Sequence, residues 1–462
     1  MADGQPARRS PGRAAPKRSA KVPAKRQTAA PSRRKKASAS RGATDAAGTP
    51  RLRVVRAEEG RAKKKPTASA AARRSLFLLL IPAGVLLVLG LVMVLSAGSI
   101  SAVEGYGGNA FWYFQRQLVY AVAGGAALVV AWRLPYPVWR RLALPMLLVT
   151  IPLMLIALRP SSGTALYGAS RWIDLGPVTL QPSEFLKLGL IAFAATVLSA
   201  KRKKLHIPAQ LLIPLAPVTL LVAGLVIMQR DLGTTLILCG SVFLMMFVAG
   251  VRGKYLSVTA AAGAVGAALL IFGESYRRTR FIDAWLNPMA DAKGAGYQLN
   301  QGLIALGSGG WFGVGLGNSR QKWDYLPNAH SDFIFAIIGE ELGFLGTLLV
   351  LVAFGVLLYA GIRIALRAPD TFGRFLAAGI TSWFGLQVII NLGAVTGLLP
   401  ITGVPLPLVS FGGTALVVTL AGIGVLASIA RCSGAAGKKR AKARPAAKKA
   451  AAGRPAAGRA AR

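Results

Sequence analysis

The feature that most limits this chain is a succession of apolar stretches, each roughly 20 residues long, the length an α-helix needs to cross about 30 Å of hydrocarbon. They fall at about Leu76–Ala97, Gln117–Trp132, Leu142–Leu158, Phe185–Ala200, Gln210–Met228, Leu232–Gly250, Tyr255–Gly273, Ile334–Ile362, Phe375–Val395 and Leu406–Ile429. In hydrocarbon, backbone N–H and C=O groups find partners only inside the protein, so each stretch is expected to be a helix. The expected fold is an all-α integral membrane protein of about ten transmembrane helices within residues 75–430. A large extracytoplasmic loop, 274–332, separates helices 7 and 8. The first stretch follows a long basic segment and exceeds a signal-peptide core in length, so it reads as a retained anchor.

Charge then orients the helices. The chain is 53% hydrophobic yet carries a net charge of +40. Residues 1–74 hold 22 Lys/Arg against 4 acids, and residues 431–462 hold 11 Lys/Arg and no acid. Both tails are rich in Ala, Pro, Gly, Lys and Arg, a composition that buries too little surface to offset ordering entropy. They are read as disordered. The loops Arg133–Arg141, Lys201–His206, Val251–Lys254 and Arg363–Arg374 are basic as well. By the positive-inside rule these loops and both termini face the cytoplasm. The tails lack interleaved aromatics, so anionic membrane lipids are their expected contact and nucleic acid is not. Two cysteines and two histidines make neither a disulfide framework nor a His-based metal centre.

The opposite side receives the chemistry. The 274–332 loop is rich in aromatics (Trp285, Trp311, Trp323, Tyr325) and predicts short helices lying against the membrane; the 159–184 loop is similar in composition. Acids are scarce outside the tails, and ionisable groups at membrane depth suggest function. Asp332 stands where the long loop meets a span. A carboxylate there is partly desolvated and suits general-base work, although Asp also favours the cap of a following helix. Glu340 and Glu341 read equally as cavity-facing groups or as buried hydrogen-bond acceptors. Glu184 and Lys187, three apart after Pro182, read as an ion pair on a capped helix or as substrate contacts. The glycines around 307–317 lack the lysine and the strand–helix setting of a phosphate-binding loop. Arg277, Arg278, Arg280, Lys293, Arg320 and Lys322 still make the loop cationic and suited to a lipid diphosphate.

Four runs carry a resemblance: GASRWIDLGPVTLQPSEFLKL, MQRDLGTT, the stretch from GYQLNQGLIALG through KWDYLPNAHSDFIFAIIGEELG, and NLGAVTGLLPITGVPLPLVSFGGTALV. They resemble the SEDS family of peptidoglycan polymerases, in order, over about Ser75–Arg431. The KWDYLPNAHSDFIF segment and the long tails are more similar to its cell-division branch than to its elongation branch. The resemblance implies ten helices and glycosyltransferase activity on lipid II, a disaccharide-pentapeptide on undecaprenyl diphosphate. It implies that Asp332 deprotonates the 4-hydroxyl of the acceptor sugar, which attacks the anomeric carbon of the growing chain as the lipid diphosphate leaves. It also implies a divalent cation (Mg or Mn), a class B penicillin-binding protein as septal transpeptidase partner, and other divisome proteins. Arg171, Glu184, Lys187, Gln301, Arg320, Lys322 and His330 are the candidate substrate contacts. Phe411 stands where tyrosine is usual in the family.

Two readings from other classes compete with the polymerase: a lipid II flippase, and a non-catalytic scaffold for the transpeptidase. An elongation-type polymerase shares its chemistry. A transporter places charged groups at mid-membrane on broken helices. Here they gather at loops and span ends.

Overall fold

The structure is a computed structural model. It describes residues 68–452, apart from 160–162, 167–168, 175, 177, 205–206, 290–292 and 295. Residues 1–67 and 453–462, where most of the N-terminal tail and the end of the C-terminal tail were expected, lie outside the described residues.

The apolar stretches form helices in the order read from the sequence: α1 (Ala68–Gly105), α2 (Trp112–Arg133), α3 (Val138–Ala157), α4 (Pro182–Ala200), α5 (Pro208–Met228), α6 (Leu232–Ala249) and α7 (Gly253–Phe272). Two short helices follow in the long loop, α8 (Ser275–Phe281) and α9 (Tyr297–Ser308). Then come α10 (Ile334–Arg367), α11 (Thr371–Val395) and α12 (Gly413–Ala452). Among the described residues nine of these helices are long and apolar enough to cross a membrane, and α5 contributes the shorter apolar run Leu212–Met228. The chain is a multi-pass membrane protein.

α11 and α12 form the enclosed centre. α11 packs against α4, α6 and α10, and α12 packs against α1 and α2. α7 buries no residue against the rest. At one end the helices are tied by Tyr136, whose hydroxyl donates to Asp370 Oδ1 at 2.8 Å, and by Ser428 Oγ, which donates to the Leu134 carbonyl at 2.6 Å.

Three segments differ from their expectations. The 159–184 loop contains strands in a fold expected to be all-α. Strands β1 (Gly163–Leu166), β2 (Ala169–Asp174) and β3 (Thr179–Leu180) form an antiparallel sheet in that order. Ile173 pairs with Leu180 and Asp174 with Thr179, so backbone groups there are satisfied between strands. The last span does not begin at Leu406. Residues 406–412, buried except for the half-buried Phe411, are irregular because Pro405 and Pro407 disfavour a helix and Leu408 sits at φ +67°. Beyond the span, α12 continues through the first part of the basic segment to Ala452. Ala, Lys and Arg are strong helix formers and extend a helix already nucleated in the membrane.

α10 is broken near its start. Gly343 lies at φ +67°, ψ −163°, a region open essentially to glycine alone. The opening is filled by the loop before it. Val314 N and Gly315 N donate to the carbonyls of Glu340 and Glu341 at 2.9 and 3.1 Å, and Phe344 N and Leu345 N donate to those of Gly310 and Trp311 at 2.9 and 3.3 Å. A Cβ on Gly343 would collide with Gly313 N and with the Phe312 backbone. Gly343→Ala is therefore expected to lower stability by on the order of 3 kcal/mol, read as melting temperature in detergent. Gly355→Ala on the same helix, where a Cβ meets nothing within 4 Å, should leave melting unchanged.

Candidate active site

The site forms where the loop before α10 meets the irregular segment between α11 and α12. Three successive carbonyls are each held from outside their own segment. Phe411 N donates to His330 O at 3.0 Å, Ser410 Oγ to Ser331 O at 2.6 Å, and Asn391 Nδ2 to Asp332 O at 2.8 Å. Asp332 itself is half-buried. Gly403, at φ +68°, brings bare backbone beside its carboxylate, so that a Cβ there would lie 3.5 Å from Asp332 Oδ2. α10 starts at Ile334, as expected, but Asp332 is not its cap: Phe333 holds that position, without a side-chain cap, and Asp332 precedes it.

The irregular segment has its own supports. Asn391 Nδ2 also donates to Val404 O at 2.8 Å, and Gln387 Nε2 donates to Pro405 O at 2.9 Å. Gln117 Nε2 donates to Ser410 O at 3.1 Å, and Leu406 N donates to Ser410 Oγ at 2.8 Å. None of these side chains was singled out from the sequence. The signal available was amide side chains spaced four apart on an apolar helix, Gln387 and Asn391, which hydrocarbon would reject unless they had partners.

The candidates taken from the sequence fall in four places. His330 lies beside Asp332, its ring 4.2 Å from the Tyr113 ring and 5.9 Å from that of Phe411. Burial pushes its pKa down to about 4, so the imidazole is neutral at physiological pH and puts no cation beside Asp332. Its Nδ1 has no hydrogen-bond partner among the described residues. Gln301 is half-buried on α9, next to Gly302, which abuts the Phe333 ring.

Lys322 and Arg320 belong to a second cluster around the break in α10. The Lys322 ammonium donates to Gly317 O at 2.5 Å and lies 3.6 Å from Glu341 Oε1. Glu341 accepts from Ser96 Oγ at 2.6 and 2.8 Å, and Glu340 accepts from Ser319 Oγ at 2.5 Å and from Arg320 N at 2.9 Å. Both acids are thus buried hydrogen-bond acceptors that fasten the loop to α10. The Arg320 side chain is exposed.

Arg171 sits on β2 and grips the turn between α5 and α6. It donates to the carbonyls of Gln229 and Arg230 at 3.1 and 2.6 Å and lies 3.6 Å from Asp231 Oδ2. Glu184 and Lys187 are sealed inside α4, 2% and 1% exposed, as an ion pair of 2.8 Å. The Lys187 ammonium lies 5.2 Å from the Trp383 ring centre, and Trp383 Nε1 donates to Gln387 Oε1 at 2.8 Å. Neither residue reaches the surface. Among the described residues no three His, Cys, Asp or Glu side chains converge as a metal cage.

The comparisons with known proteins agree on one family. A family model for cell cycle proteins, FtsW/RodA/SpoVE, matches residues 76–434. The stage V sporulation protein E of Bacillus subtilis is 41% identical over 356 residues, covering 77% of this chain and 97% of that one. The probable peptidoglycan glycosyltransferase FtsW of Mycobacterium tuberculosis is 39% identical over 359 residues, covering 77% of this chain and 68% of that one. Among solved structures, a chain of a peptidoglycan synthase complex that coordinates polymerization and crosslinking superposes with TM-score 0.63 at 30% identity, covering 76% of this chain and 96% of its own. RodA of Thermus thermophilus superposes with TM-score 0.57 at 29% identity, covering 77% and 96%.

Two outcomes follow from the buried groups. Lys187→Met strands a buried carboxylate and should cost about 3–5 kcal/mol, while Glu184→Gln with Lys187→Met should recover most of that loss in thermal unfolding. His330 binds its proton at about pH 4 when folded and near 6.5 when unfolded. Between those values the unfolded state holds more protons, so stability falls as pH drops from 6.5 to 4. His330→Gln should flatten that part of a melting-temperature profile against pH.

Proposed function

This chain belongs to the FtsW/RodA/SpoVE family and is a peptidoglycan glycosyltransferase; we propose that Asp332 is its general base, acting on lipid II at the outer face of the membrane. The observation that carries this reading is the clamp on residues 330–332. A carboxylate whose backbone is held at three successive carbonyls, beside a glycine that leaves room next to it, is preorganised to receive one proton from a positioned hydroxyl.

In the proposed reaction Asp332 takes the proton of the acceptor sugar's 4-hydroxyl. That oxygen forms the new bond to the anomeric carbon of the growing chain, and the bond to the lipid diphosphate breaks. The diphosphate departs as an anion, and Asp332 later releases its proton to water. Arg320, exposed on the loop that leads to Asp332, is proposed to meet the diphosphate charge. A divalent cation would be held by the diphosphate itself, since the described side chains offer no cage. No step above depends on it.

The site's end of the bundle is assigned to the outside by the basic loops at the opposite end, which also assigns both termini to the cytoplasm. A class B penicillin-binding protein is the proposed partner, on the likeness to the synthase complex. Septal wall synthesis within the divisome is the proposed setting, on relatives named FtsW at up to 40% identity. Anionic lipids are the proposed contact of the tails.

The test uses the purified protein with its transpeptidase, lipid II and Mg or Mn, with glycan strands resolved on a gel. Asp332→Asn is expected to lose at least about 100-fold in polymerisation with partner binding intact. Normal polymer from that variant would overturn the base assignment.

A further inference from the structure

Asn391 is 2% exposed on α11, and from that helix its side chain bonds both the segment of Asp332 and the irregular segment facing it. Its single amide nitrogen donates to Asp332 O and to Val404 O, each at 2.8 Å. Gly403, which lies against the Asp332 carboxylate, is the residue just before Val404. One NH₂ group therefore sets the distance between the carboxylate and the backbone that forms the facing wall of its site.

Packing alone does not account for an asparagine at this position. Its Oδ1 is buried with no hydrogen-bond partner among the described residues, a desolvation cost that a leucine of similar volume would avoid. The two donated bonds are what the amide supplies in return. The neighbouring bonds reinforce the same segment. Ser410 Oγ holds Ser331 O, and Phe411 N holds His330 O. Three successive carbonyls of the segment that carries Asp332 are thus held from outside it.

We infer that Asn391 is a positioning residue of the polymerase, which fixes the Asp332 carboxylate against the Gly403–Val404 backbone and so sets the rate of the chemical step. It touches no reacting atom and acts through Asp332, so its removal lowers kcat and leaves KM in place. The inference rests on the reading of Asp332 as base, and the experiment separates the two.

The assay is steady-state polymerisation of lipid II by the full chain in complex with its transpeptidase. Asn391→Leu, Ser410→Ala, Asp332→Asn and Thr381→Val are compared, with melting temperature and complex recovery measured for each. Thr381 is a buried hydroxyl on the same helix that bonds only its own helix, through Ala377 O. Asn391→Leu is expected to lower kcat by about 100-fold, the loss that follows a misplacement of about 1 Å at a reacting group. KM should stay within about twofold, complex recovery should be unchanged, and Thr381→Val should polymerise normally. Ser410→Ala, which frees only the neighbouring carbonyl, should show a smaller fall of about tenfold in kcat and remains informative should Asn391→Leu fail to accumulate. Wild-type kcat in Asn391→Leu or in Ser410→Ala alongside an inactive Asp332→Asn would overturn the positioning role alone. A rise in KM at constant kcat, or a loss that follows melting and complex recovery, would do the same. Full activity in Asp332→Asn would overturn the base and the positioning role together.

Discussion

Inside a bilayer, irregular backbone exists only where the protein supplies its hydrogen bonds, and much of this structure follows from that rule. The segment 396–412 breaks the helical pattern between α11 and α12. Its carbonyls at Val404, Pro405 and Ser410 are bonded by Asn391, Gln387 and Gln117, each from a different helical turn or helix. Asn391 and Ser410 also reach the segment that carries Asp332. Satisfying the irregular backbone and holding the proposed base are one arrangement. The break in α10 obeys the same rule by a different route: the glycine-rich loop enters it and pairs main chain to main chain.

Charge is handled with equal economy. Glu184 has Lys187, Lys322 has Glu341, and Asp231 has Arg171 and the backbone of the helix it caps. A buried charge without such a partner would be strongly unfavourable, and His330 instead stays neutral between aromatic rings. Lys322 with Glu341 and Arg171 with Asp231 join separate segments, whereas Glu184 and Lys187 pair within α4. The segment of Asp332 is loop, yet its backbone is held at successive carbonyls by Phe411 N, Ser410 and Asn391, the condition a positioned proton acceptor requires.

The helical order was legible in the residues because hydrocarbon enforces a length and a polarity that few other environments do. The apolar stretches from Leu76 to Ile429 reappear as helices in sequence, and the aromatic loop after α7 folds into α8 and α9. The errors fell where local pattern and tertiary bonding disagree. Residues 406–412 are as apolar as a span, yet two prolines and a left-handed Leu408 turn them into a loop that distant side chains support. The sheet at 163–180 depends on pairing between strands, which composition alone does not reveal.

At the site the division is similar. The acid scarcity and the boundary position of Asp332 single it out before any coordinates, because a carboxylate at a membrane edge is costly to keep. Glu184, Lys187 and Arg171 also drew notice as charges, but only the fold reveals that the first two are enclosed in α4 and the third grips a turn. The spacing of Gln387 and Asn391 marks them as amides in an apolar helix, but what Asn391 and Ser410 hold could not be read from it, since each acts on a residue 59 or 79 positions away. The chain by itself determined that it spans a membrane and which carboxylate stands at its edge, because hydrophobicity and charge are local properties of residues. Only the tertiary structure decided what holds that carboxylate, because hydrogen bonds between distant segments exist only after the helices have packed.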